Sequence, residues 1–149
     1  MSEMLQSARW KLPFLAVGQS QKEVTHNEAL ALVDALIAPV AVASGVNDPP
    51  SAPMIGQIWL VGTAPTDVWA GFAVHLACWT SGGWRMIAPR SGMTVRLETG
   101  PMVRFDGTAW LYPGQVAAPA GGAVVDSEAR AAISVLIEAL QAHGWVEQN

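Results

Sequence analysis

The chain has 149 residues, of which 51% are hydrophobic and only 13% charged, and its net charge is −4. This length suits one domain with a real core and is short for two, and the absence of clustered Lys and Arg argues against a nucleic-acid-binding surface. Ordinary soluble domains carry roughly 25% charged residues, so we expect part of this surface to be covered in a permanent assembly.

The same composition predicts no membrane insertion. The most apolar run, Ala29 to Val46, contains Asp34 and Pro39, and a central Asp is costly in a spanning helix. The first residues lack the uninterrupted apolar segment of a secretory signal. The single cysteine, Cys78, excludes an internal disulfide, and its apolar setting predicts a buried, unreactive thiol. We therefore expect synthesis in a reducing bacterial cytoplasm.

The predicted fold is α+β and mainly β. Residues 1–18 form an N-terminal docking arm, and residues 19–112 form a helix followed by a small antiparallel β-domain of short hairpins. Residues 113–125 are a Pro/Gly/Ala linker without charge, and residues 126–149 hold a C-terminal helix.

The first helix is predicted between residues 20 and 38. Its apolar residues recur at spacings of three and four: Leu30, Val33, Leu36 and Ile37. Pro39 ends the run. The residues that follow, Ala43 to Gly56, are dense in Pro, Gly, Asn and Asp and predict a loop.

The polar stretch "GQSQKEVTHNEAL" (Gly18–Leu30) opens this helix. Ser20 with Glu23, and Thr25 with Glu28, each match the capping box, in which a hydroxyl and a carboxylate satisfy free backbone N–H groups. We predict Thr25 as the N-cap of the main helix and assign a capping or assembly role to this segment: Thr25, His26, Asn27 and Glu28. A metal site formed by Glu23, His26 and Glu28 is disfavoured, because their spacing differs from the i, i+4 pair of an HExxH site.

Residues 57–112 predict short strands separated by Gly and Pro: "QIWLV", "FAVHLACW", "WRMIA", "TVRLE", "MVRF" and "TAWLY". "TSGG" before Trp84 and "DG" at Asp106–Gly107 indicate hairpin turns. Three of the seven Trp residues stand beside these turns: Trp79, Trp84 and Trp110. Two interpretations stay open, a core role and stacking on the sugar rings of a glycan.

After the linker, "DSEARAAISVLIEALQAHG" predicts a helix with Asp126 or Ser127 as N-cap and Gly144 as C-terminal stop. One stripe follows spacings of four, three and four: Ala129, Ile133, Leu136 and Leu140. This stripe either packs on the β-domain or pairs with copies of itself around a symmetry axis.

No catalytic, cofactor-binding or metal-binding set stands out, so the sequence predicts that the protein is not an enzyme and has no cofactor. The chain lacks a nucleophile elbow, a Walker loop, a CxxC pair and a GxGxxG motif. A depolymerase remains the enzymatic alternative, without a constellation of residues behind it.

"LPFLAVGQSQKEVTHNEAL" resembles the opening motif of the phage and prophage family called domain of unknown function 2793, which has the form LPYL-x-x-x-QAQK-x-VTHNEAL. The resemblance continues in order through "GQIWLVG", "WAG", "GGWRMIAPRSGM" and "FDGTAW", from about Leu12 to Trp110. The chain departs from the motif at Ser20, Glu23 and Trp59. The resemblance carries no catalytic residues. It implies a structural protein of a tailed phage or gene transfer agent, of head-spike or tail-fibre type.

The sequence therefore predicts a virion structural protein, a head spike or fibre base or adaptor that forms a symmetric homo-oligomer, a trimer or a pentamer. Its expected partners are other virion proteins such as capsid, portal, tail or fibre. The alternative function is a carbohydrate-binding module that attaches the particle to host polysaccharide.

Overall fold

The computed structural model describes residues 5–16, 18 and 22–147. The chain divides into two compact units, one ending at Pro89 and the other beginning at Arg90. The described residues form two α-helices and eight short strands in small, mostly antiparallel sheets, which confirms the α+β, mainly β prediction. No helix in this part of the chain is long and apolar enough to cross a membrane.

The described residues of the first unit form one α-helix and five strands: α1 Lys22–Leu36, β1 Val40–Ala41, β2 Ala43–Val46, β3 Ile58–Val61, β4 Leu76–Thr80 and β5 Gly83–Ile87. A 3-10 turn, Asp67–Trp69, precedes β4. Strands β2 to β5 form one sheet in chain order, in which β2 and β3 are parallel and the other neighbours antiparallel. The predicted "TSGG" turn joins β4 and β5, and Trp79 lies opposite Trp84 across them.

The predicted loop from Ala43 to Gly56 is wrong at its start, where β2 occupies Ala43–Val46. The strand forms because its backbone pairs with β3, Ala43 lying opposite Trp59, and not because "ASGV" favours a strand. Gly45 has φ +73 at a bulge in this pairing, a conformation that glycine adopts without strain.

Helix α1 begins at Lys22, so the prediction that Thr25 caps it is wrong. Thr25 is the fourth residue of the helix and is exposed. The other predicted capping residue, Ser20, lies outside the described residues. The helix ends at Leu36, shortly before Pro39, as the sequence indicates.

In the second unit, residues 90–147 form three strands and one helix: β6 Thr94–Leu97, β7 Met102–Phe105, β8 Trp110–Leu111 and α2 Ser127–Ala142. The predicted "DG" turn joins β7 to β8. The carboxylate of Asp106 accepts hydrogen bonds from the N–H groups of Thr108 (2.7 Å) and Ala109 (2.9 Å). These bonds favour the charged form and lower the pKa of Asp106.

Helix α2 has the predicted termini. Asp126 is the N-cap and accepts a hydrogen bond from the N–H of Ala129 at 2.9 Å. Gly144, with φ +72, follows the C-cap His143. The Gly144 carbonyl accepts from the N–H of Met102 (3.0 Å), which ties the end of α2 to β7.

Candidate functional site

Asp34 holds the N-terminal arm against α1. Its side chain is 4% exposed and accepts hydrogen bonds from the Ser7 hydroxyl at 2.5 Å and from the backbone N–H groups of Arg9 (3.0 Å) and Trp10 (2.6 Å). A buried carboxylate is stable only when its oxygens are satisfied. The Asp that interrupts the apolar run is therefore the attachment point of the arm.

Arg9 caps the C-terminal end of α1. Its guanidinium donates to the carbonyl oxygens of Asp34 (2.7 Å), Ile37 (3.1 Å) and Ala38 (2.8 Å). The indole N–H of Trp10 donates to the same Ile37 oxygen at 3.1 Å. The last carbonyls of a helix have no partner within it, and a cation there also complements the helix dipole. The arm is thus a structural extension of α1.

Asn27 fixes the other end of the arm. Its side-chain oxygen accepts from the N–H of Leu15 (2.8 Å) and its amide donates to the Leu15 carbonyl (3.0 Å). The Asn27 amide thus pairs with both backbone groups of Leu15, as a residue of a neighbouring β-strand would. Of the four residues given a capping or assembly role, Asn27 binds the described part of the arm.

Glu28 contacts the sheet instead. Its carboxylate accepts from the Arg85 guanidinium at 3.2 Å, with both side chains about half exposed. His26 is exposed on α1. Thr25, His26, Asn27 and Glu28 therefore point in different directions and do not form one site.

Helix α1 buries two acidic side chains and exposes several apolar ones. Its buried residues are Glu23, Asp34 and Ala35. Towards the end of the helix Leu32 is 39% exposed, Val33 44% and Ile37, just beyond the helix, 43%. We call these three residues, with the neighbouring Trp10 (51% exposed), the α1 face. A surface helix ordinarily shows the reverse arrangement.

Helix α2 also turns apolar residues to solvent. Of the predicted stripe, Ala129 is exposed, Ile133 is 42% and Leu136 62% exposed, and Leu140 is half-buried. The buried residue of α2 is its neighbour Ile137, at 7%. We call the stripe, Ala129, Ile133, Leu136 and Leu140, the α2 face. Most of this face is exposed.

The three candidate glycan-binding Trp residues do not come together. Trp79 and Trp84 belong to the first unit, where their rings pack 4.9 Å apart. Trp84 also packs edge-on against the buried rings of Trp59 (5.4 Å) and Trp69 (4.9 Å). Both candidates are half-buried and rest on this core. Trp110 is in the second unit, also half-buried.

A cavity of about 410 Å³ lies in the first unit between the arm, α1 and the sheet. Because side chains alternate along a strand, Trp79 projects from the sheet face opposite to that of Cys78 and Thr80, and only its backbone faces the cavity side. Three of the polar side chains around the cavity are bound within the protein: Asn27 with the arm, Asp34 with the arm and Arg85 with Glu28.

Cys78 is free and buried, as predicted. Burial raises the pKa of its thiol to about 11, because an apolar setting disfavours the thiolate. Among residues 5–16, 18 and 22–147, no three His, Cys, Asp or Glu side chains are grouped as metal ligands.

Sequence reasoning missed Ser7, Arg9 and Asp34 as a set. The available signal was the isolated Asp34 in an apolar helix, which calls for a buried partner. Its partners, two backbone N–H groups and a serine hydroxyl, leave no pattern in the sequence.

The sequence profile of the family described as "Protein of unknown function (DUF2793)" matches residues 26–111, more than half of the chain. The match begins at His26, in the middle of the opening motif, and ends after β8 begins. A search among curated proteins found no match. The chain belongs to the DUF2793 family.

Proposed function

We propose that this protein is a structural subunit of a tailed-phage or gene-transfer-agent particle, a head spike or a fibre base or adaptor, that assembles as a symmetric homo-oligomer. The observation that carries the proposal is the pair of outward-facing apolar surfaces, the α1 face and the α2 face, on a chain with 13% charged residues. Apolar surface of this kind normally marks a protein–protein contact.

The arm supports the same function. It is bound to α1 by directional hydrogen bonds at Asp34, Asn27 and Arg9, so Trp10 is presented to solvent in a fixed position. Fixed side chains lose little conformational entropy when they are covered, which favours tight assembly. The virion location itself rests on the likeness of the opening motif to phage proteins.

The proposal is tested by analytical ultracentrifugation of the purified chain, with candidate capsid, portal, tail and fibre proteins added in a second experiment. We expect a defined oligomer that binds a capsid, portal, tail or fibre protein. A folded monomer that binds none of them contradicts the proposal.

Carbohydrate binding is the second candidate, and the half-buried Trp79–Trp84 pair beside the β4–β5 turn favours it. Partly exposed indoles stack on sugar rings. Replacing Trp79 by Ala should abolish binding to the host polysaccharide without loss of the folded state. Unchanged binding, or binding lost only through unfolding, argues against a glycan site here.

A further inference from the structure

We propose that the cavity between the arm, α1 and the sheet of the first unit binds one neutral sugar residue. Its volume of about 410 Å³ lies within the range of roughly 300–1,000 Å³ that is typical of small-ligand pockets. The inference rests on the second candidate function, carbohydrate binding, and assigns to it a site on the other side of the sheet from the Trp79–Trp84 pair.

The cavity exists because α1 does not fill the space between itself and the sheet. The α1 residues that line it recur at helical spacings: Val24, Asn27, Glu28, Ala31 and Asp34. Ala31 has only a methyl group, and the side chains of Asn27 and Asp34 are bound to the arm. Because protein interiors are otherwise close-packed, the space is available to a ligand.

The polar groups around the cavity that remain free can both donate and accept hydrogen bonds. Arg85 has several N–H donors, one of which binds one oxygen of Glu28 at 3.2 Å. The side chains of Gln6 and Ser81 line the cavity and form no hydrogen bond with another described residue. An amide and a hydroxyl each donate and accept. This mixed set suits a ligand whose own groups do both, as every hydroxyl of a sugar does.

The charges at or beside the cavity cancel. Arg85 is paired with Glu28, and the guanidinium of Arg9 lies next to Asp34, to whose backbone carbonyl it donates at 2.7 Å. An anionic ligand would have to compete with Glu28 for Arg85, and a cationic ligand would have to compete with Arg85 for Glu28. A neutral ligand binds without breaking either pair and gains charge-assisted hydrogen bonds from Arg85 and Glu28.

The remaining lining is apolar and suits the C–H face of a sugar ring. Phe14 of the arm and Ala31 of α1 are both half-buried at the cavity, and Cys78 lines it from the sheet. Aromatic side chains stack on sugar rings. A wholly apolar ligand would cover Arg85 and Glu28 without bonding to them, which is costly.

A peptide is the competing neutral ligand. Extended peptides bind folded domains through backbone hydrogen bonds at the edge of a sheet, and helical peptides bind in long grooves. This cavity instead lies over the face of the β4–β5 pair, where side chains and not the ladder groups point into it. The geometry therefore favours a sugar over a peptide.

Nuclear magnetic resonance of the nitrogen-15-labelled full chain tests the site. The probes are the methyl glycosides of glucose, galactose, mannose, rhamnose, N-acetylglucosamine and N-acetylgalactosamine. We expect at least one of them to bind with a Kd of about 1 mM or tighter and to shift the backbone amide signals of Ala31, Cys78 and Gly82. The indole N–H signals of Trp79 and Trp84 should not move, because these side chains project from the opposite face of the sheet.

Filling the cavity gives a matched pair of variants. Ala31→Leu places a larger side chain in the cavity and should weaken sugar binding by on the order of tenfold or more. Ala29→Leu makes the same change at an exposed α1 residue that does not line the cavity, so it should bind like the parent chain. Arg85→Ala removes an exposed donor and should weaken binding by on the order of tenfold. The amide spectrum of each variant shows whether it is folded.

Three results overturn the inference. Shifts of the Trp79 and Trp84 indole signals without shifts at the cavity would place the sugar on the Trp pair and leave the carbohydrate-binding candidate standing. Equal binding by Ala31→Leu and the parent chain would place the sugar outside the cavity. If none of the sugars shifts the cavity signals, the cavity is not a sugar site, and shifts caused instead by acetylated amino-acid amides would make it a peptide site. None of these results changes the oligomer of the proposed function.

Discussion

Replacing Asp34 by Ala should release the arm from α1. The change removes a carboxylate that accepts three hydrogen bonds at 2.5, 2.6 and 3.0 Å while 4% exposed. Hydrogen bonds to a charged group contribute about 1.5–3 kcal/mol each. The full sum is not lost, because the freed Ser7, Arg9 and Trp10 groups regain water when the arm opens. We therefore expect a loss of about 3–4 kcal/mol in the free energy of unfolding.

Urea unfolding measures that loss, and limited trypsin digestion shows where it occurs. Cleavage after Arg9 and Lys11 should be much faster in Asp34→Ala than in the parent chain, because a detached arm fits a protease. The matched control is Ser7→Ala, which removes only one of the three donors and should cost about 1 kcal/mol. If Asp34→Ala matches the parent in stability and in cleavage rate, Asp34 does not hold the arm and the reasoning is refuted.

Three further changes probe the rest of the fold. Burial raises the pKa of the Cys78 thiol from 9.0 to about 11, so the folded state holds this proton more tightly and the free energy of unfolding should fall as the pH rises from about 9 to about 11. Urea unfolding at several pH values measures this fall, which should be absent in Cys78→Ala. An equal fall in Cys78→Ala would refute the assignment to this thiol. Gly144→Ala should lower the free energy of unfolding, measured with urea, by about 1–3 kcal/mol. The reason is that Gly144 has φ +72 and an added Cβ would lie 3.1 Å from the backbone nitrogen of Met102. An unchanged free energy of unfolding would show that this end of α2 is not fixed to β7. Trp84→Ala should lower the free energy of unfolding by about 3 kcal/mol, because it leaves a cavity at the centre of the Trp cluster. Trp84→Phe should restore much of this loss. If both variants melt at the same temperature as the parent chain, Trp84 has no core role.

The sequence predicts the regular elements well where local chemistry decides them. Both hairpin turns and both termini of α2 follow from Gly, Asp and the capping residues, whose backbone preferences are intrinsic. Strand β2 escapes this reasoning, because "ASGV" becomes a strand only through pairing with β3. The sequence also predicts the start of α1 at the wrong residue. The helix runs from Lys22 straight through Thr25, and the local capping pattern at Thr25 and Glu28 does not decide its start.

The candidate site is less predictable, since it depends on which side of each helix faces inward. The apolar spacing in α1 identifies a helix correctly, yet Val33 and Ile37 face solvent while Asp34 is buried. The burial of Asp34 depends on an arm 25 residues earlier in the chain, and periodicity contains no information about such a partner. In α2 the stripe is visible in the sequence, but only the structure shows that Ile137 packs and Leu136 does not.

Sedimentation equilibrium of the parent chain at micromolar concentration tests the central claim most directly. If the α1 and α2 faces are covered by other copies, the measured mass is a whole multiple of 15.7 kDa, and it falls towards one chain when Ile133 and Leu136 are both replaced by Glu. A parent chain that sediments as a stable, folded 15.7 kDa monomer at every concentration contradicts the claim.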